Sequence, residues 1–180
     1  MNKEQYDNIN DLLSNLLISR GVKDVNALLN VSKEDCHHYR LYQNLKTIKR
    51  LKKVIIFEGE KSVMMCESFY PDSNFALAIC GSNLSDYQRD LIVQDLGVEE
   101  VIIAIDKQYK TELSTEDDRN EYERYIKKVQ KIADKFVNFI NVYIVYCDDD
   151  RLGYKDSPSD KGKEILEQLM KEKERYLNEI

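Results

Sequence analysis

No apolar run in this 180-residue chain approaches the roughly 20 residues that a helix needs to cross a bilayer. The opening MNKEQYDNIN lacks the basic-then-apolar plan of a secretory signal, and a cytoplasmic location is the expectation. There is no CxxC pair, because Cys36, Cys66, Cys80 and Cys147 stand far apart, which argues against zinc-ribbon and thioredoxin-type sites. Cys66, Cys80 and Cys147 have apolar neighbours and read as small buried hydrophobes. Cys36-His37-His38 resembles a ligand cluster, but adjacent residues point in different directions and no second cluster completes a tetrahedron. A structural or surface role is expected there. Walker-type GK[ST] motifs, internal repeats and low-complexity tracts are all missing.

What is present is a globular composition. The chain is 42% hydrophobic and 33% charged, which sets it apart from a disordered polyampholyte. Its length suits one domain with a real core, or one domain plus a helical extension. The net charge of −6 hides an asymmetry: residues 1–53 carry 10 Lys and Arg against 6 acids, while the remainder carries 17 against 27. Basic residues concentrate in KTIKRLKK (46–53).

Ile9, Leu12, Leu13, Leu16 and Leu17 recur at helical spacing, and Gly21 is a plausible stop. Leu41, Leu45, Ile48 and Leu51 form one side of a helix leading to residue 53. The pattern then changes to four short apolar runs, at 54–57, 75–79, 101–105 and 142–146. Apolar runs of this length without alternation read as parallel strands buried on both faces. The intervening segments are long enough for crossover helices. Ser85 can cap one of these, stopped by Gly97, and Tyr122, Tyr125, Ile126, Val129, Ile132, Ala133 and Phe136 mark the apolar face of the next. Ser157-Pro158 predicts the start of a last helix running through Ile165, Leu166, Leu169 and Met170. The expected architecture is α/β, a (βα)₄ doubly wound parallel sheet behind a basic helical appendage at 1–53, with the main domain at 54–180.

In such sheets functional groups collect beyond the carboxyl ends of the strands. Glu58 follows the first strand, Asp106 the third, and Asp148, Asp149 and Asp150 the fourth. Crowded carboxylates repel unless a hard cation neutralises them. The competing reading is that each acid serves the N-terminus of the next helix. Spacing alone leaves both open.

VIIFEGEKSVMM (54–65), ALAICGSNLSDYQ (76–88) and VIIAIDKQY (101–109) resemble successive motifs of a TOPRIM domain. They are most similar to those of DnaG-type primases from phages and low-GC bacteria. Glu58-Gly59 matches the EG signature, Cys80-Gly81-Ser82-Asn83 the Gly-containing turn, and Asp106 the first place of a DxD pair. KDSPSDKGKE (155–164) resembles a later lysine–acid segment, so the resemblance spans about residues 45–170 in the family's order. It implies a catalytic Glu58 and Asp106 that bind Mg²⁺ or Mn²⁺, with Gln108 as a further ligand and Asp156, or one of Asp148–Asp150, as another. It also implies a single-stranded DNA template, nucleoside triphosphates and a replicative helicase on another chain or domain.

The sequence departs from the family in two places. Gln108 stands where the second DxD acid belongs, bringing an oxygen but no charge, and the late acidic pair is spread out as Asp156 and Asp160. Glu60 reads as a solvated first-turn acid. Lys61 and Lys107 are candidate phosphate contacts. Lys46, Lys49, Arg50, Lys52 and Lys53 can track a template backbone, or simply form a solvated helix face. Gly59 and Gly81 read as backbone turns. Three functions remain: primer synthesis by nucleotidyl transfer, a stand-alone TOPRIM nuclease acting on structured RNA or DNA, and a non-catalytic partner module.

Overall fold

The computed structural model describes residues 41–81 and 83–177. The expected apolar face at 9–17 and Cys36-His37-His38 lie outside them, as does Ser82. The elements run α1 (Leu41–Leu51), β1 (Lys53–Phe57), α2 (Glu60–Phe69), β2 (Ala76–Ala78), α3 (Asp86–Asp90) and β3 (Glu100–Ile103). They continue with α4 (Glu116–Ala133), β4 (Asn141–Ile144), α5 (Lys163–Lys171) and β5 (Glu174–Tyr176). α3 widens into a π-type turn over Leu91–Asp95.

The sheet order is β2-β1-β3-β4-β5. The first four strands pair in parallel, as the unalternated apolar runs predict, with Ile56 level with Leu77 on one side and Ile103 on the other. Ile103 is in turn level with Ile144. Successive strand residues alternate between faces. Val54, Ile56, Val101, Ile103, Val142 and Ile144 pack under α1, α3 and α4 with Ile48, Ile92, Val129, Ile132 and Phe136. Ile55, Phe57, Ile102 and Ala104 face the opposite layer, where Val63 and Cys66 of α2 meet Leu166 and Leu169 of α5. Fully burying one such aliphatic side chain contributes about 1.5–3 kcal/mol relative to leaving it exposed.

α1 packs on the sheet itself. Ile48 is fully buried, and the Asn44 amide donates to the Ala76 carbonyl at 2.8 Å. The division expected after residue 53 falls within β1, after its first residue. Ser85 caps α3 as predicted, in a reciprocal capping box with Gln88, and Gly97 takes the left-handed φ of +62° after the π turn.

Three details differ from expectation. A fifth strand, β5, pairs antiparallel with β4; its sequence, Glu-Arg-Tyr, has no apolar signature. The last helix starts at Lys163 rather than near Ser157-Pro158, because Ser157 and Ser159 are buried in a turn below it. Cys80 is exposed at φ +55°, not buried like Cys66 and Cys147, because the turn after β2 carries it outward. Among the described residues no helix is long and apolar enough to cross a membrane.

Candidate active site

The parallel register brings the loops after β1, β3 and β4 to one edge of the sheet. By that register Glu58 is level with Ile105, and Asp106 stands one residue further out. The charge of Glu58 reaches Asp106. Burial first, then Glu58 and Asp160, push the Asp106 carboxyl up to about 6, against weaker opposing pulls from Lys128 and Ser157. Asp106 Oδ1 is buried and has no hydrogen-bond partner among the described residues. A buried carboxylate oxygen left unpaired is costly, and a bound cation or water is the usual remedy.

Glu58 is better served. Both of its oxygens lie 2.9 Å from Lys128 Nζ, and Gln108 Nε2 donates to Oε2 at 3.1 Å. The Gln108 amide therefore sits beside Glu58, and its Oε1, on the same group, comes to that side by a half-turn of the amide. Lys128 gives no motif-level signal in the sequence. It comes from the middle of α4, next to the buried Val129, and only the packing of α4 over β3 delivers it to the site.

Asp160, rather than Asp156, adjoins Asp106. Its Oδ2 accepts from the Ser157 backbone N–H at 3.2 Å, and its Oδ1 lies 3.0 Å from Lys61 Nζ, an ion pair without hydrogen-bond alignment. Ser157 holds this turn against α2 through a 2.6 Å contact between its hydroxyl and that of Ser62. The Asp156 side chain turns away from this group. Its Oδ2 takes the Lys161 ammonium at 2.8 Å and the Gly153 N–H at 2.7 Å, and these hold its carboxyl below the usual range.

The two lysines expected at phosphates differ. Lys61 is exposed at the first turn of α2, beside exposed Glu60. Lys107 is buried, correcting its reading as a phosphate contact: its ammonium donates to Thr111 Oγ1, the Asp149 carbonyl and the Leu152 carbonyl at 2.9, 2.9 and 3.1 Å. With three acceptors its donors are all used internally.

The aspartates after β4 also have structural tasks. Asp148 accepts from the Tyr109 hydroxyl at 2.6 Å, and Arg151 holds the Asp149 carboxyl down at about 2. Asp150 is exposed. On α1, Lys46, Lys49 and Arg50 are exposed. Lys52 pairs with Glu99 at 2.5 Å, and the Lys53 ammonium lies over the Phe75 ring. Lys53 opens β1 whereas Glu58 follows its end, so the two stand roughly 17 Å apart along the strand.

Beside Glu58 opens a cleft of ≈ 430 Å³, lined by Gln108, Glu121, Arg124, Lys128, Tyr154 and Lys155 together with Tyr125. A smaller apolar cavity between α2 and α5 contains none of the acids of this edge. Among the described residues no three carboxylate, histidine or cysteine side chains converge as a ready ligand set. The candidate donors at this edge, the Glu58 and Asp106 carboxylates and the Gln108 amide oxygen, are hard oxygens. That set fits Mg²⁺ or Mn²⁺ keeping much of its water, not a soft metal.

No family model matches the chain. It is 46% identical over 140 residues to the SPbeta prophage-derived uncharacterized protein YorJ of Bacillus subtilis (strain 168). That match covers 75% of this chain and 36% of the relative, so the chain spans little more than a third of that protein's length. Among solved structures, the DnaG catalytic core is similar with a TM-score of 0.51, over 77% of this chain and 40% of that one, at 15% identity. The likeness is one of fold: a mixed α/β unit on a mostly parallel five-stranded sheet. The Aquifex aeolicus primase, comprising its zinc-binding and RNA polymerase domains, covers 77% of this chain and 30% of its own at a TM-score of 0.49 and 20% identity.

Proposed function

We propose that this chain is the TOPRIM core of a phage-type DNA primase, performing metal-dependent nucleotidyl transfer with Glu58 and Asp106 as the cation ligands. The observation that carries this reading is Asp106 Oδ1, buried and without a hydrogen-bond partner among the described residues, near a second carboxylate at the carboxyl edge of a parallel sheet. The DnaG-like fold and the prophage origin of the relative support a setting in replication. Bound Mg²⁺ or Mn²⁺ supplies the positive charge that stabilises a transferring phosphoryl group. Glu58 and Asp106 contribute two anionic oxygens, and Gln108 contributes a neutral one after its amide turns. Exposed Lys61 is free to swing from Asp160 to a phosphate oxygen. Lys46, Lys49 and Arg50, with Lys52 and Lys53 at the far edge, are the template-facing cations of this reading, for single-stranded DNA opposite nucleoside triphosphates. A replicative helicase on another chain or domain would complete the setting.

The test is Mn²⁺ binding, followed by water-proton relaxation, together with extension of a supplied primer on single-stranded DNA. Glu58→Gln and Asp106→Asn should each weaken Mn²⁺ by more than about tenfold, 1.4 kcal/mol, and abolish extension while the chain stays folded. Unchanged Mn²⁺ binding in both variants would remove the site. A non-catalytic role would then follow, a reading that the hold of Lys128 and Gln108 on Glu58 already favours in part. Cleavage of structured RNA without extension would put the nuclease in its place.

A further inference from the structure

We propose that Lys128 is a switching ammonium: it neutralises Glu58 in the metal-free chain, and a cation arriving there releases it onto phosphate oxyanions in the adjoining cleft. This rests on the reading of Glu58 and Asp106 as cation ligands. Lys128 Nζ stands 2.9 Å from both Glu58 oxygens, and its side chain is only 16% exposed. A dication cannot take the same two oxygens while the ammonium stays, since the two positive charges would sit within contact distance in a partly desolvated pocket. The ammonium has somewhere to go. Lys128 also lines the cleft in which Arg124, one turn earlier on α4, and Lys155 present two more cations against the single acid Glu121.

A lysine is a point charge on a flexible four-carbon stem, and it can move from a carboxylate to a phosphate without any backbone change. The ligand class is therefore a phosphate oxyanion, carried by a nucleotide or by a nucleic-acid strand. Because one ammonium answers to both ligands, cation and phosphate should bind with positive coupling.

The intact 180-residue chain provides the test, with Mn²⁺ alone, ATP and a short oligothymidylate as probes. In Lys128→Met, Mn²⁺ alone should bind about fivefold tighter or more, because its competitor is gone. With Mn²⁺ in excess over the probe, ATP or oligothymidylate should bind weaker by a similar factor. A lysine that merely balanced charge would give the first change without the second. Lys128→Arg should restore phosphate binding, and Arg124→Ala should weaken it without altering Mn²⁺ alone. A loss confined to ATP assigns the cleft to the incoming nucleotide, and one confined to oligothymidylate assigns it to the strand. The proposal is overturned if Lys128→Met binds Mn²⁺ no tighter than the parent, or binds both phosphate probes as well as the parent. Failure of the underlying metal reading is separately visible, as Mn²⁺ affinity that Glu58→Gln leaves unchanged.

Discussion

Burial and the charges of Glu58 and Asp160 mean that the folded chain holds the Asp106 proton more tightly than the unfolded chain does, with the carboxyl at about 6 instead of 3.8. Between those two values the native state binds more protons than the unfolded one. Stability contributed by this group therefore falls as pH rises through the window, and the ionised carboxylate is a net cost at neutral pH. Asp106→Asn should accordingly stabilise the metal-free chain at pH 7, by about 1 kcal/mol once solvent screening of a half-buried group is allowed for. The gain should vanish below about pH 4, where both states are protonated. Urea unfolding at the two pH values measures this, and a gain of equal size at both would locate its cause elsewhere. Lys107 is the counterexample at the same level. Its neighbours in sequence suggest a ligand contact, yet its ammonium ties the loop after β3 to the Asp149 and Leu152 carbonyls.

The helices are held by local signals that can be tested one at a time. Thr115 Oγ1 accepts from the Asp118 N–H at 3.1 Å while the Asp118 carboxylate takes the Thr115 N–H at 3.0 Å, closing a capping box at the start of α4. Thr115→Ala should cost about 1 kcal/mol in thermal or urea unfolding. Since α4 carries Lys128 and Arg124, fraying of its first turn should leave Mn²⁺ binding at Glu58 intact. Coupled loss of both would mean that the first turn positions the site. β1, β3 and β4 were legible in the sequence because strands buried on both faces must be apolar at every position. β5 was not, since Glu174 and Arg175 are exposed and its pairing with β4 is set by tertiary placement. The Ser157-Pro158 helix start misled because the Ser157 hydroxyl is committed to Ser62 instead of capping a helix. The positions of Glu58 and Asp106 just beyond β1 and β3 were legible from the strand ends. The placement of Asp160 and Lys128 around them depends on how a loop and a helix pack, which local pattern does not encode.

Across the molecule, the order β2-β1-β3-β4-β5 leaves β1 and β3 flanked by paired strands on both sides, whereas the two edge strands are three residues each. Amides of a protein exchange with solvent at rates set by the opening that exposes them, from local fraying to global unfolding. Labelling with deuterium should therefore find Ile55, Ile56, Ile102 and Ile103 among the last amides to exchange, while Glu174–Tyr176 exchange early. Equal protection of β5 and β3 would contradict the edge position of β5. Glu58 hangs from the end of β1 and Asp106 from the extension of β3, adjacent strands in the interior of the sheet. The two carboxylates thus hang from interior strands, whose hydrogen bonds should open last among the described residues. Fraying at either margin can open and close many times without changing the spacing between them, and that spacing should persist until the sheet itself comes apart.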